Sequence, residues 1–79
     1  MKIIELDASK IKEKKGSHEY LKEVFGFPDY YGNNLDALED CLSEKRGTWV
    51  FIKNINEAGS YFLSVYPILL RRTRTVIIR

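Results

Sequence analysis

The spacing of apolar residues changes several times along the chain, and each change marks an element. Residues 2 to 6 form a short β-branched run that predicts a strand, followed by a polar connection through Lys10, Lys12, Lys14 and Lys15 to Gly16. Tyr20, Leu21, Val24 and Phe25 then recur at helical spacing, with Ser17 as the expected N-cap and Gly26 as a left-handed stop. Turn formers and aromatics fill the loop Pro28 to Asn33, and Asn34 is placed to cap a second helix running to about Glu44. Gly47 breaks that pattern. Thr48 to Lys53 and Thr75 to Ile78 have the β-branched and aromatic content of buried strands, so both are expected inside the sheet. Between them, Glu57 to Arg71 is helical in period, with Phe62, Leu63, Tyr66, Leu69 and Leu70 as its apolar face. Pro67 lies within that stretch and predicts a kink or a break into two short helices. Strands separated by helices require crossover connections. The expected fold is an α/β domain, a three-stranded parallel sheet with helices packed against it, with residues 1 to 79 forming one domain.

Composition narrows the setting. Hydrophobic residues make up 44% and charged residues 30%, a globular balance in which no long stretch reads as disordered. Cys41 is the single cysteine, which rules out an internal disulfide and a cysteine-based zinc site and fits a reducing compartment. The first residues reach Glu5 without an apolar run of signal-peptide or membrane-spanning length, so a cytoplasmic location away from membranes is expected.

Charge is informative through its distribution. The net charge is +2, yet Gly26 to Glu44 contains no Lys or Arg and five acids: Asp29, Asp36, Glu39, Asp40 and Glu44. That segment carries −5, which leaves +7 for the remainder. On a helical projection Leu35, Leu38, Cys41 and Leu42 share one side, while Asp36, Glu39, Asp40, Ser43 and Glu44 share the other. Asp36, Asp40 and Glu44 follow i, i+4, i+8 spacing, and each such like-charge repulsion costs about 0.2 to 0.5 kcal/mol. The helix macrodipole favours Asp36 near the start, but it disfavours Glu44 at the end. From spacing alone, the acidic side reads either as a solvated face or as a binding surface. Tyr30 and Tyr31, just before the cap, can anchor such a surface, although one of the pair reads equally well as core.

The run Phe27 to Leu42, FPDYYGNNLDALEDCL, resembles the signature of the barstar family, inhibitors of barnase-type extracellular ribonucleases. The Tyr-Tyr-Gly turn, the capping Asn, the Leu-Asp-Ala-Leu helix start and the Asp-Cys-Leu after it stand in uninterrupted register. The resemblance implies a three-stranded parallel sheet and a nuclease-facing surface made by the second helix and the loop before it. On matching positions, Tyr30 is implied as an aromatic contact, Asn34 and Leu35 as the interface edge, and Asp36 and Asp40 as the main acidic contacts. Glu39 and Ser43 lie on the same wet side and complete the expected surface. Glu39 stands where the family commonly has an aromatic residue, so specificity is expected to depart there. The interval between the second and third strands is short, and the chain is basic overall, unlike the acidic type member.

The expected partner is a ribonuclease with a basic active site, bound 1:1 by a monomer with no cofactor and no turnover. The biological setting is open between self-protection from a secreted nuclease and the role of an immunity protein or antitoxin against a rival's toxin. Carboxylates in such a site occupy phosphate positions and accept charge-assisted hydrogen bonds.

The other candidate chemistries are thinner. Cys41 reads as a small buried hydrophobe, and the single histidine, His18, is expected to be solvent-exposed, with nothing placing it near Cys41 as an activating base. Helical acids at i, i+4 lack the encircling ligands that a hard cation prefers, so no metal is expected. Lys10 to Lys15 and Arg71, Arg72 and Arg74 leave open a small RNA-binding protein. A non-nuclease basic partner for the acidic helix is the other alternative. No nucleophile-base set or phosphate loop suggests an enzyme.

Overall fold

The computed structural model, which describes residues 2–45 and 47–78, contains three strands and three helices, two of the helices between the first pair of strands and one between the second. In chain order they are β1 (Lys2–Asp7), α1 (Lys14–Phe25), α2 (Leu35–Ser43), β2 (Thr48–Lys53), α3 (Phe62–Arg72) and β3 (Arg74–Ile77). Short 3₁₀ turns at Ala8–Lys10 and Ile55–Glu57 follow the first two strands. All pairings are parallel in the order β1-β2-β3, with Ile4 opposite Val50 and Leu6 opposite Ile52, and Ile52 in turn opposite Ile77.

Strand alternation explains the two-layer arrangement. Ile4 and Leu6 of β1 and Val50 and Ile52 of β2 are buried, and they share one core with Leu21 and Phe25 of α1, Leu38 and Leu42 of α2, and Val65 and Leu69 of α3. Successive right-handed crossovers that step in one direction across a sheet place every helix on the same side. The other face is only partly covered, with Ile3 61% exposed. There the Arg74 guanidinium lies 5.5 Å from the Trp49 ring centre and Lys53 pairs with Glu5 at 2.9 Å, so long cationic side chains screen the apolar surface.

Five expectations need correction. The N-cap of α1 is Glu13, whose side chain accepts from the Gly16 amide, while Ser17 is buried inside the helix. The third strand is an edge, with Val76 and Ile78 exposed, because β2 takes the centre. The helical stretch starts at Phe62 rather than at Glu57, after a separate 3₁₀ turn. Pro67 does not divide it: α3 runs continuously to Arg72. The carbonyl left without a donor by that proline is Leu63's, on a residue 77% exposed, where water can serve instead.

His18 is the fifth correction, being fully buried rather than exposed. Its Nδ1 lies 2.7 Å from the Tyr31 hydroxyl and its Nε2 lies 2.7 Å from the Tyr61 hydroxyl. Both ring nitrogens therefore have partners, which makes an interior imidazole tolerable. Burial, and secondarily Lys14, hold its pKa below the ordinary 6.5 and favour the neutral ring. Gly59 lets the segment before α3 approach closely enough to make this contact. Its amide donates to the Ile11 carbonyl at 2.9 Å, and any Cβ there would overlap the Lys12 backbone.

Candidate functional site

The loop between α1 and α2 is held from beneath by aromatic stacking. Gly26 ends α1 in the left-handed conformation at φ 69°, as expected, and turns Phe27 back onto Phe25 with ring centres 5.3 Å apart. Phe27 packs in turn against Tyr31 at 4.8 Å, and Tyr31 reaches His18. A turn closed by the Tyr31 amide on the Pro28 carbonyl, at 3.0 Å, points neighbouring rings in opposite directions. Tyr31 is buried at 5% exposure while Tyr30 stands 86% exposed, so one tyrosine is core and the other is available to a partner. Burial pushes the Tyr31 phenol well above its usual range.

Asn34 begins α2 as its sequence position predicts. Its Oδ1 accepts from the Ala37 amide at 2.7 Å and its Nδ2 donates to the Gly32 carbonyl at 3.2 Å, fixing the loop to the helix start. Leu38 and Leu42 face the core, while Leu35 and Cys41 are half-buried beside it. Asp36, Asp40 and Glu44 are exposed along the outer face, and among the described residues their carboxylates make no ion pair. Ser43 spends its hydroxyl proton on the Asp40 carbonyl at 2.6 Å.

Two shallow recesses flank Asp40. One is lined by Asp36, Glu39, Asp40, Ser43 and Arg72; the other by Phe27, Pro28, Tyr30, Asp40, Cys41, Glu44 and Lys45. Asp40 thus stands on the ridge between them, with the exposed tyrosine to one side and a second carboxylate to the other. The two recesses bring Tyr30, Asp36, Glu39 and Ser43 together around Asp40, while Asn34, exposed, and Leu35, half-buried, stand at the start of the helix and line neither recess. Cys41 borders this surface, but burial first, then Asp40 and Glu44, raise its thiol pKa and disfavour a thiolate. Among the described residues, no group of three His, Cys, Asp or Glu side chains could hold a metal ion.

Glu39 is not free like its neighbours. Its Oε1 accepts from Arg71 and its Oε2 from Arg72, each at 2.8 Å, and the two arginines, Arg72 foremost, hold its carboxyl below the usual range. Both arginines come from the last turn of α3, so the compensation that α2 lacks along its own length arrives from another helix.

Most of the surface now described falls within the part of the chain that a family model matches. Residues 1–61 match the family model described as Barstar (barnase inhibitor). The chain belongs to the barstar family. A Bacillus subtilis (strain 168) protein named "Putative ribonuclease inhibitor YrdF" is 46% identical over 43 residues. That alignment takes in 54% of this chain and 47% of the relative, so about half the length of the curated relative is matched. The barstar match contains the whole loop, α2 and the His18-Tyr31-Tyr61 junction, whereas Arg71 and Arg72 lie beyond it.

Sequence reasoning missed two contributors to this barstar surface: the junction that supports the loop and the arginine pair on Glu39. The signal for the second was present in pieces. Glu39 has no basic partner on α2, two arginines close an apolar helix, and crossovers stepping one way across a sheet bring such helices side by side.

Proposed function

We propose that this chain inhibits a ribonuclease by placing the loop and outer face of α2 in the enzyme's basic active site. The observation that carries the reading is the position of Asp40, a carboxylate without an ion-pair partner among the described residues, on the ridge between the two recesses, with Tyr30 and Asp36 to either side. A site that binds a phosphodiester presents cationic side chains, and Asp36 and Asp40 supply acceptors for them without rearrangement of α2. Tyr30 adds a large, accessible anchor beside these charges. Asn34 and Leu35 border the contact, and Ser43 and the clamped Glu39 complete its outer edge. No step requires a cofactor or turnover, and one inhibitor occupies one active site. Association is steered by opposite fields and slows as salt is raised. The Glu39 carboxylate cancels one of the two charges of Arg71 and Arg72, which lowers the net positive charge that the C-terminal basic cluster offers to an RNA backbone.

The test is RNA cleavage by purified barnase-type ribonucleases with and without the chain. Near-equimolar wild-type protein is expected to stop cleavage, and Asp40→Ala is expected to weaken inhibition by at least about thirtyfold, with an unchanged circular dichroism spectrum. Full inhibition by both Asp36→Ala and Asp40→Ala would falsify the acidic-face reading. If instead the isolated chain binds RNA in a salt-sensitive way that is lost on neutralising Lys12, Lys14 and Lys15, the RNA-binding reading replaces it.

A further inference from the structure

We infer that Arg71 and Arg72 decide which ribonuclease this chain accepts, by matching a partner that carries carboxylates next to its basic cleft. The inference rests on the inhibitor reading and adds the chemistry of the partner's rim.

Two guanidinium groups share one carboxylate, so the patch around Glu39 keeps one net positive charge at the edge of an otherwise acidic surface. Arg72 lines the same recess as Asp36, Glu39 and Asp40, so any side chain entering there meets both signs of charge. Each arginine uses one terminal nitrogen on Glu39, and the side chains remain 55% and 41% exposed, which leaves further N–H donors open to a partner. Glu39 holds both groups in place beforehand, so a partner carboxylate binds forks that are already ordered. Glu39 is in this sense a positioning residue, and the arginines make the contact. Against a nuclease whose cleft is bordered by lysines and arginines, the same pair repels, which is how a surface discriminates between related partners. A purely acidic face would lack that selectivity.

The competing account is that the clamp only ties α2 to α3, and the two differ in the sign of an effect. The probes are barnase and purified barnase-type ribonucleases chosen to carry either acidic or basic residues around the active-site mouth, with affinity for the chain measured by calorimetry. Wild-type chain is expected to prefer the acid-bordered enzymes. The double variant R71Q/R72Q should weaken those complexes about tenfold and tighten the basic-bordered ones, so that the preference collapses. R71K/R72K, which keeps the charge but not the fork, should retain the direction of preference, and R72Q alone guards against a folding defect in the double variant. Tightening of every complex alike by R71Q/R72Q overturns the inference, because it means the arginines only opposed a cationic partner. A lowered Tm with unchanged affinities overturns it in favour of a structural clamp. In both cases loss of binding by Asp40→Ala would leave the inhibitor reading standing, whereas failure of the wild-type chain to bind any probe removes both.

Discussion

The loop before α2 is supported by one kind of chemistry and leads into another. At Tyr31 it turns inward to a junction drawn from three distant segments, where His18 joins two tyrosine hydroxyls and no ring nitrogen lacks a partner. Past Asn34 it runs into a helix whose outer carboxylates repel one another and, Glu39 apart, make no ion pair among the described residues. The first arrangement contributes to stability and has no direct means of touching a partner. The second costs stability in the isolated chain and is suited to a partner that supplies the missing charge. Buried polar groups must be satisfied within the fold, whereas exposed like charges can be satisfied from outside it.

That contrast can be broken at either side. The largest effect is expected from Asp40→Ala, which should remove about 2 to 5 kcal/mol of binding free energy to a cognate nuclease while leaving urea unfolding unchanged or slightly more difficult. Coincident loss of binding and of stability would show that the acidic face also holds the fold together. His18→Ala should do the reverse, lowering stability in urea by about 3 kcal/mol, since it opens a cavity and leaves two tyrosine hydroxyls short of a partner. Inhibition by the fraction that stays folded should fall far less than in Asp40→Ala.

A smaller effect follows from the depressed pKa of His18. The unfolded chain takes up a proton at this residue more readily than the folded one, so stability is complete above pH 6.5 and declines as pH falls from there toward the lower folded-state value. Denaturation midpoints measured across that range should decline for wild type and lose this component in His18→Gln. The Asp7 carboxyl, held at about 2 by hydrogen bonds from Ser9 and Asn54, acts in a separate window, losing its contribution only as pH drops through 3.8 toward 2. The smallest change is expected at Ser17, whose buried hydroxyl has no hydrogen-bond partner among the described residues. Ser17→Ala should raise stability by up to about 1 kcal/mol in thermal unfolding, because it removes an unsatisfied polar group and favours the helix. A loss of that size would mean the hydroxyl has a partner after all.

Much of the candidate surface was legible because it is local. The asparagine cap, the left-handed Gly26, the alternation of core and wet positions on α2 and the motif from Phe27 to Leu42 all lie within one contiguous stretch, and helical geometry converts spacing directly into facing. The Ser17 cap was misplaced for a related reason: Glu13 offered a competing acceptor one turn earlier, and capping preference ranks residue types without knowing which one the core will bury. The continuity of α3 through Pro67 depended on Leu63 facing solvent, which periodicity across a proline does not specify.

By itself, then, the sequence determined the α/β class, the loop, the helix that follows it and the side of that helix that stays wet, since each depends on residues a few positions apart. Tertiary structure alone decided that His18 is buried, that β3 is an edge, and that Arg71 and Arg72 reach Glu39. Those outcomes depend on which elements become neighbours when the chain crosses over the sheet. Such contacts join positions 13 to 43 residues apart, a separation over which no local period carries information.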